Sequence, residues 1–183
     1  MSCVNSLKGL LLNECESNLA GIKELYLTDN KALEVSGTTT GDSAMTITII
    51  TGATFYKYEM EEQVGYLTTT SSVGDNGRLR YYTNEIRVAF PRLSQEKHLE
   101  FVALTHNPVK ALVLDNNDVW HFVSYDQWLR ANDGATAMTG QNFDDENGYE
   151  VILSGRSAYP SFIVDKSVAE AVISDPENMN IGC

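Results

Sequence analysis

The sequence contains little of what small enzymes and metal proteins use for chemistry. Its 183 residues include three cysteines and three histidines. Cys3, Cys15 and Cys183 lie near the two ends and lack the CxxC or Cys/His spacing of a zinc site, and an odd number of cysteines makes no complete disulfide framework. We expect reduced thiols, while a Cys3–Cys15 contact stays open.

Long apolar runs are also absent. No stretch reaches the ~18 residues that a membrane-spanning helix needs. The apolar residues 9–12 (GLLL) are too short for the core of a signal peptide, and no small-residue cleavage site follows them. We therefore expect a protein that begins in a cytoplasm and has no membrane partner.

Positive charge is scarce. The chain has 13 Lys and Arg against 25 Asp and Glu, a net charge of −12. A surface that grips phosphates needs clustered basic residues, and the nearest approach is Arg78, Arg80 and Arg87, which we place on strand faces among acids. This balance argues against a nucleic-acid binder. An acidic surface is favoured as a means of plain solubility, and it also suits a wall that nucleic acid slides past without binding.

Catalytic and ligand-binding motifs are missing as well. There is no GxSxG turn, no GxxxxGK[ST] loop and no GxGxxG loop. The acidic turns 115–118 (DNND) and 144–150 (DDENGYE) lack the residue order of an EF-hand, so ordinary β-turns are favoured over weak calcium sites. His106 lies at the end of a predicted helix, where it suits the helix dipole. We predict no catalytic residue, no cofactor and no metal site.

What the sequence does contain is β structure. Alternating apolar residues and β-branched runs predict strands at 22–27, 45–49, 55–62, 66–70, 79–90, 110–114, 119–123, 149–154 and 162–164. Residues 36–43 are predicted to be a loop, and 124–142 irregular. We divide the chain into an N-terminal arm (1–20), one β domain (21–164) and a short C-terminal helix with a tail (165–183). The predicted fold class is mainly β: a β-sandwich or partly closed barrel with one flanking α-helix and a long protruding β-hairpin.

The flanking helix is predicted over residues 95–106, with Ser94 as its N-cap. Its apolar residues predict which face lies against a sheet. The inward stripe is predicted to be the i, i+3, i+4 set Leu99, Val102 and Ala103, with Phe101 and Leu104 flanking it.

The hairpin between Val64 and Phe90 is the most distinctive feature. Residues 74–77 (GDNG) are typical of a tight reversal. The half nearer Phe90 has a core face, whereas the half nearer the turn has none, so we expect a partner to cover it. Exposed tyrosines on such a ribbon can pack across strands or stack on sugars or bases. Because the ribbon is uncovered, we favour a contact with another protein. The candidate interface residues are Tyr66, Thr68, Thr70, Asp75, Asn76, Gly77, Arg78, Arg80, Tyr81 and Tyr82.

The order of these elements resembles the tail-tube and tail-ring family of tailed bacteriophages, which is similar in fold to the tube protein of type VI secretion. The matching segments are FYKYEMEE, the TTTSSVGDNGRLRYY hairpin, the PRLSQEKHLEFVAL helix, ALVLDNNDVWHFV and GYEVILSG. The pattern is most similar to the variant in phages of gut Bacteroidales, including crAss-like ones, and the N-terminal CVNSLKG stretch adds to it. Residues 165–183 depart from the simplest tube subunits.

The resemblance implies a virion structural protein that forms a ring in the tail tube or collar, assembled in the cytoplasm of a host bacterium. It implies a homo-oligomeric ring of six or twelve copies, neighbours among the tail, collar or portal proteins, and genomic DNA that passes through without specific binding. Glu59, Glu61 and Glu62 are candidates to face the lumen.

Two alternatives stay open. A β-sandwich carbohydrate-binding or adhesin module would be a monomer with an aromatic-lined face. A small enzyme would place Asp115, Asp118 or His121 in a pocket.

Overall fold

The computed structural model describes residues 19–29, 34–38, 46–50, 54–58, 64–74, 77, 79–132, 134–142 and 144–173. Within these ranges the chain forms eleven β-strands and two α-helices. The strands are β1 (Ile22–Thr28), β2 (Glu34–Thr38), β3 (Thr46–Ile50), β4 (Tyr56–Tyr58), β5 (Tyr66–Val73), β6 (Arg80–Pro91), β7 (Lys110–Asp115), β8 (Trp120–Val123), β9 (Ala135–Met138), β10 (Gly148–Ser157) and β11 (Phe162–Val164). The helices are α1 (Gln95–His106) and α2 (Lys166–Ile173). None of the helices in these ranges has the length and apolar character to cross a membrane.

The strands form two open antiparallel sheets, as the mainly β prediction requires. One sheet has five strands in the order β11-β8-β7-β1-β4, and the other has four in the order β5-β6-β10-β9. Strands β2 and β3 pair with each other as a separate ribbon. The fold class is therefore confirmed: a β-sandwich with a flanking helix.

The main core lies between the two sheets. Strand side chains alternate between faces, so every second residue of β6 and β10 points inward. These inward residues include Ile86, Val88, Val151 and Leu153, all fully buried, and they meet Leu25, Leu27 and Val113 of the five-stranded sheet.

The five-stranded sheet is covered on its other face as well. Tyr26, Leu112 and Phe122 point away from the main core, and α2 packs on them through Val168, Ala169 and Val172. Burial on both faces explains why β7 is buried from Lys110 to Leu114 and has no polar alternation. The segment after residue 165 thus contributes a third layer to the domain.

Helix α1 closes one end of the main core, and here the prediction is partly wrong. Ser94 is the N-cap as predicted, since its Oγ accepts a hydrogen bond from the Lys97 N–H at 3.3 Å. The buried face, however, carries Leu104 and Phe101, while Leu99 is 64% exposed and Val102 is 38% exposed. Because the apolar residues of this helix are distributed around its whole circumference, their spacing alone does not show which face points inward.

A hydrogen bond between Tyr58 and Glu100 joins β4 to the same helix. The Tyr58 hydroxyl donates to the Glu100 carboxylate at 2.9 Å. Burial, followed by the neighbouring Glu100 charge, raises the pKa of Tyr58 well above its ordinary value. The phenol therefore stays a donor at any physiological pH.

The predicted hairpin is formed by β5 and β6, but its turn half has more support inside the chain than the sequence suggested. Strand β10 pairs with β6 as far out as Ser157 opposite Tyr82. The inward residues of this half are polar: the Thr69 hydroxyl donates to the side-chain oxygen of the fully buried Asn84 at 2.8 Å. Only the last two residue pairs before the turn extend beyond β10.

Two strands were missed in the sequence. Strand β2 occupies part of the predicted loop 36–43, and β9 lies inside the predicted irregular interval 124–142. Both are short and lack a clear apolar alternation, so their strand character depends on the partners β3 and β10. Of the predicted strand 55–62, residues 55–58 are described, and Tyr56–Tyr58 of them form β4.

Candidate interface

The candidate site is the face of the four-stranded sheet that points away from the core, which we call the outer face. The register of β5, β6, β9 and β10 assigns its members by alternation. In β6 they are half-exposed from Tyr81 to Ala89, although β6 is a central strand. The outer face consists of Tyr66, Thr68, Thr70 and Ser72; Tyr81, Thr83, Glu85, Arg87, Ala89 and Pro91; Gly148, Glu150, Ile152, the buried Ser154 and Arg156; and Thr136 and Met138.

The predicted interface residues divide between the two sides of this sheet. Tyr66, Thr68, Thr70 and Tyr81 lie together on the outer face, whereas Arg80 and Tyr82 belong to the opposite side. Gly77 lies in the turn with a φ of 67°, and its N–H donates to Gly74 O at 2.8 Å. The remaining predicted residues are outside the described part of the chain: Asp75, Asn76 and Arg78 at the turn, and the lumen candidates Glu59, Glu61 and Glu62.

Charged side chains on the outer face contact charged or tyrosine side chains on neighbouring strands. Arg87 of β6 and Glu150 of β10 form a salt bridge with a nitrogen–oxygen distance of 2.7 Å, and Arg87 also donates to Val64 O at 3.1 Å. The Tyr66 hydroxyl donates to Glu85 at 2.5 Å. The Arg156 guanidinium lies 5.5 Å from the centre of the Tyr81 ring. The outer face is thus a polar surface whose charged groups Glu85, Arg87, Glu150 and Arg156 already have partners within the chain.

Sequence reasoning missed Glu85, Glu150 and Arg156. A signal was present, because alternate residues of 81–89 (Tyr, Thr, Glu, Arg, Ala) are mostly polar while the intervening ones are mostly apolar. The sequence did not show that the polar residues of 81–89 lie beside Glu150 and Arg156, because those two residues belong to a strand distant in the chain.

The Arg87–Glu150 pair gives the domain a defined sensitivity to acid. The hydrogen bond from Arg87 holds the pKa of Glu150 below its ordinary value. A carboxylate with a depressed folded-state pKa stabilises the fold above its unfolded pKa of about 4.3, and this contribution disappears as the pH falls through the folded pKa. We expect Glu150→Gln to be less stable than the wild type at neutral pH. Its free energy of unfolding should fall less than that of the wild type as the pH is lowered.

Urea unfolding at several pH values between about 7 and 3 measures this difference. Asp144→Asn, at an exposed position in the turn before β10, is the control and should follow the wild-type slope. Equal slopes for wild type and Glu150→Gln would contradict the assignment.

Strand β5 forms an unusually open edge of the same sheet. It is the outermost strand, it is eight residues long, and its sequence YLTTTSSV contains no charged residue and no proline. Natural edge strands are commonly blunted by lysine, proline, bulges or short length. The edges of the five-stranded sheet, β4 and β11, have three residues each, and β9 has four. Strands β2 and β3 of the ribbon have five residues each, so β5 is the longest edge strand among the described strands.

The residues of the enzyme alternative lie together but form a structural turn. Asp115 Oδ1 accepts the N–H groups of Asn117 and Val119 at 2.9 and 2.8 Å. Its other oxygen lies 3.4 Å from His121 Nε2, and Asp118 pairs with Lys23 at 2.7 Å. Asp115 thus closes the β7–β8 turn that the sequence predicts. Within the described ranges no group of three or more His, Cys, Asp or Glu side chains is arranged to hold a metal ion.

Comparison with known proteins adds no relative. No family model, no curated protein and no solved structure matches the chain significantly.

Proposed function

We propose that the chain is a virion structural protein, a ring-forming subunit of a phage tail tube or collar that builds a conduit for DNA. The proposal is supported by the order of elements that resembles the tail-tube and tail-ring family, and by a fold of the class which that resemblance implies. The single observation that carries it is the long, uncharged, outermost strand β5. Such an edge, left open, pairs with another chain, and a closed ring is the arrangement that satisfies it without aggregation.

Strand directions are compatible with closure of a ring. The four strands β5, β6, β10 and β9 alternate in direction, since each neighbouring pair is antiparallel. With an even number of alternating strands, β9 of one copy and β5 of the next run in opposite directions when the copies are related by rotation. The two edges can therefore join as an ordinary antiparallel pair, and the sheet continues from copy to copy.

The net charge of the chain supports a conduit for DNA and argues against a nucleic-acid-binding protein. The net charge of −12 repels a phosphate backbone, and the arginines Arg87 and Arg156 of the outer face are already engaged by Glu150 and Tyr81. DNA would move along such a wall without being held. The neighbours in the particle would be other tail, collar or portal proteins.

The test uses two threonines that lie directly opposite each other. Thr70 of the edge strand pairs with Thr83 of the interior strand, and both point to the outer face. We expect Thr70→Lys to shift association at least tenfold toward the monomer, since a lysine on an edge strand disfavours the addition of a further strand. Thr83→Lys is the matched control and should assemble like the wild type, because both sides of β6 are already paired, with β5 and β10.

Size-exclusion chromatography with light scattering measures the mass, and negative-stain images show whether the assemblies are rings. A wild-type chain that stays strictly monomeric at high concentration would contradict the proposed function. An equal loss of association in both lysine variants would show that neighbouring copies do not pair through β5.

A further inference from the structure

A row of buried polar residues crosses the five-stranded sheet at the start of β7. Lys110 pairs with Thr28 of β1, and because Ala111 pairs with Val123, Ser124 comes next to Lys110 at the end of the β7–β8 ladder. The exposed fractions are 1% for Thr28, 6% for Lys110 and 1% for Ser124. Polar side chains are seldom buried to this extent without hydrogen-bonding partners. Each of these groups therefore needs a partner inside the protein.

The ammonium group of Lys110 is only partly satisfied by the chain. It donates one hydrogen bond, to Tyr125 O at 2.8 Å, and it lies 5.1 Å from the centre of the Trp128 ring. An ammonium group carries three N–H donors. Among the described residues no acceptor is found for the other two, so this buried group has donors to spare.

The charge of Lys110 is also incompletely balanced. Asp126 is the carboxylate that acts on it, but the two oxygens of Asp126 accept hydrogen bonds from the Ser157 hydroxyl and the Ala158 N–H. Burial lowers the pKa of Lys110, and the charge of Asp126 opposes this effect only in part. A buried positive charge thus remains without a counter-charge bonded to it.

Ser124 adds a second unpartnered donor beside this ammonium group. Its Oγ is buried and has no hydrogen-bond partner within the part of the chain that the structure describes. Its φ is 66°, a left-handed conformation that residues other than glycine adopt only where the surrounding structure imposes it. The hydrogen bond from Lys110 ends on the carbonyl of the very next residue, Tyr125, so the ammonium and the hydroxyl are neighbours. A single acceptor placed between them would satisfy both.

We infer that Lys110 and Ser124 bind a small inorganic anion of the halide class, with chloride as the natural ligand. An anion accepts hydrogen bonds from both groups and also balances the buried ammonium, whereas a water molecule supplies the hydrogen bonds alone. Because both residues are almost fully buried, the ligand has to be small, which favours a monatomic ion over sulfate or phosphate. The inference does not depend on the proposed function, since neither residue belongs to the β5 edge.

The anion site lies at a corner where the segment after β8 connects the two sheets. Leu129 exchanges hydrogen bonds of 2.8 and 2.9 Å with Val109, just before β7. Arg130 exchanges hydrogen bonds of 2.9 and 2.7 Å with Ser154 of β10. An anion that joins the start of this segment to β7 holds the corner together. Since such a site exists only in the folded chain, its ligand stabilises the fold by mass action.

Urea unfolding of the full chain, with sodium chloride replaced stepwise by sodium gluconate at constant ionic strength, measures this linkage. For the wild type we expect the unfolding equilibrium constant to be about threefold smaller or less in ~0.5 M chloride than in gluconate. Ser124→Ala and Lys110→Met should each lose this dependence. Lys23→Met removes an exposed ammonium group paired with Asp118, so it is the matched control and should keep the dependence. Because salts also act on the whole surface, the comparison is made between variants.

Two results of the unfolding experiment would overturn the inference. One is a wild-type stability that is the same in chloride and gluconate. The other is an equal loss of the chloride dependence in Lys23→Met and Lys110→Met, which would show a general effect of positive charge.

Crystals of the wild-type chain grown in sodium bromide test the site without any substitution. Anomalous scattering should place a bromide ion within hydrogen-bonding distance of Lys110 Nζ and Ser124 Oγ. A water molecule at that position without an anomalous signal would overturn the inference. Neither outcome bears on assembly through β5, whose own test is the oligomeric state.

Discussion

Replacing Leu153 with alanine is expected to lower the free energy of unfolding by about 2–5 kcal/mol. Leu153 of β10 is fully buried between the two sheets, so the truncation removes buried methyl groups and leaves a cavity that the surrounding strands cannot fill. Urea unfolding followed by circular dichroism measures the loss as a shift of the midpoint with an unchanged slope.

Leu99 provides a control of the same chemistry. It is a leucine that the sequence pattern places in the core and the structure places at 64% exposure. Leu99→Ala is expected to change stability by no more than about 0.5 kcal/mol, because little apolar surface is lost and alanine favours a helix. Equal losses at Leu99 and Leu153 would mean that helix α1 packs through the face predicted from the sequence.

Gly148→Ala is expected to destabilise the domain by about 1–3 kcal/mol or more, through overpacking. A Cβ at position 148 would lie 2.3 Å from the carbonyl oxygen of Phe90 and 3.2 Å from the Cα of Pro91. These are backbone atoms of the paired strand β6, opposite which Gly148 lies in the register, so no side chain can rotate away. The two central strands of the sheet would have to separate at this end.

Gly74 is the matched control for this substitution. The nearest described atom to a Cβ there would be the Leu79 Cβ at 3.4 Å, which is an ordinary contact. Gly74→Ala is expected to leave the unfolding midpoint within about 0.5 kcal/mol of the wild type. Thermal and urea unfolding of both variants decide the comparison, and a Gly148→Ala protein as stable as Gly74→Ala would contradict the close approach of β6 and β10.

The elements that the sequence predicted well are those whose pattern is local. The boundaries of α1 at Gln95 and His106, the N-cap Ser94, the turn at 115–118 and the strand Phe162–Val164 all follow from short-range signals: a cap, a helix-length apolar segment, an Asx turn and a β-branched run. The mainly β class and the β5–β6 hairpin follow in the same way, since alternation and a Gly-rich turn bring consecutive strands together.

The features that only the tertiary structure decided are those in which distant segments meet. Strand β10 begins at Gly148, 57 positions after Pro91, its partner in β6. It supports the turn half of the hairpin and supplies Glu150 and Arg156 to the outer face. The inward face of α1 was fixed by the space beside Tyr149, against which Phe101 packs at a ring distance of 5.1 Å. Sequence alternation determines that a strand has two faces, but the partner that each face packs against is decided by contacts between distant segments. The composition of the outer face depends on those contacts.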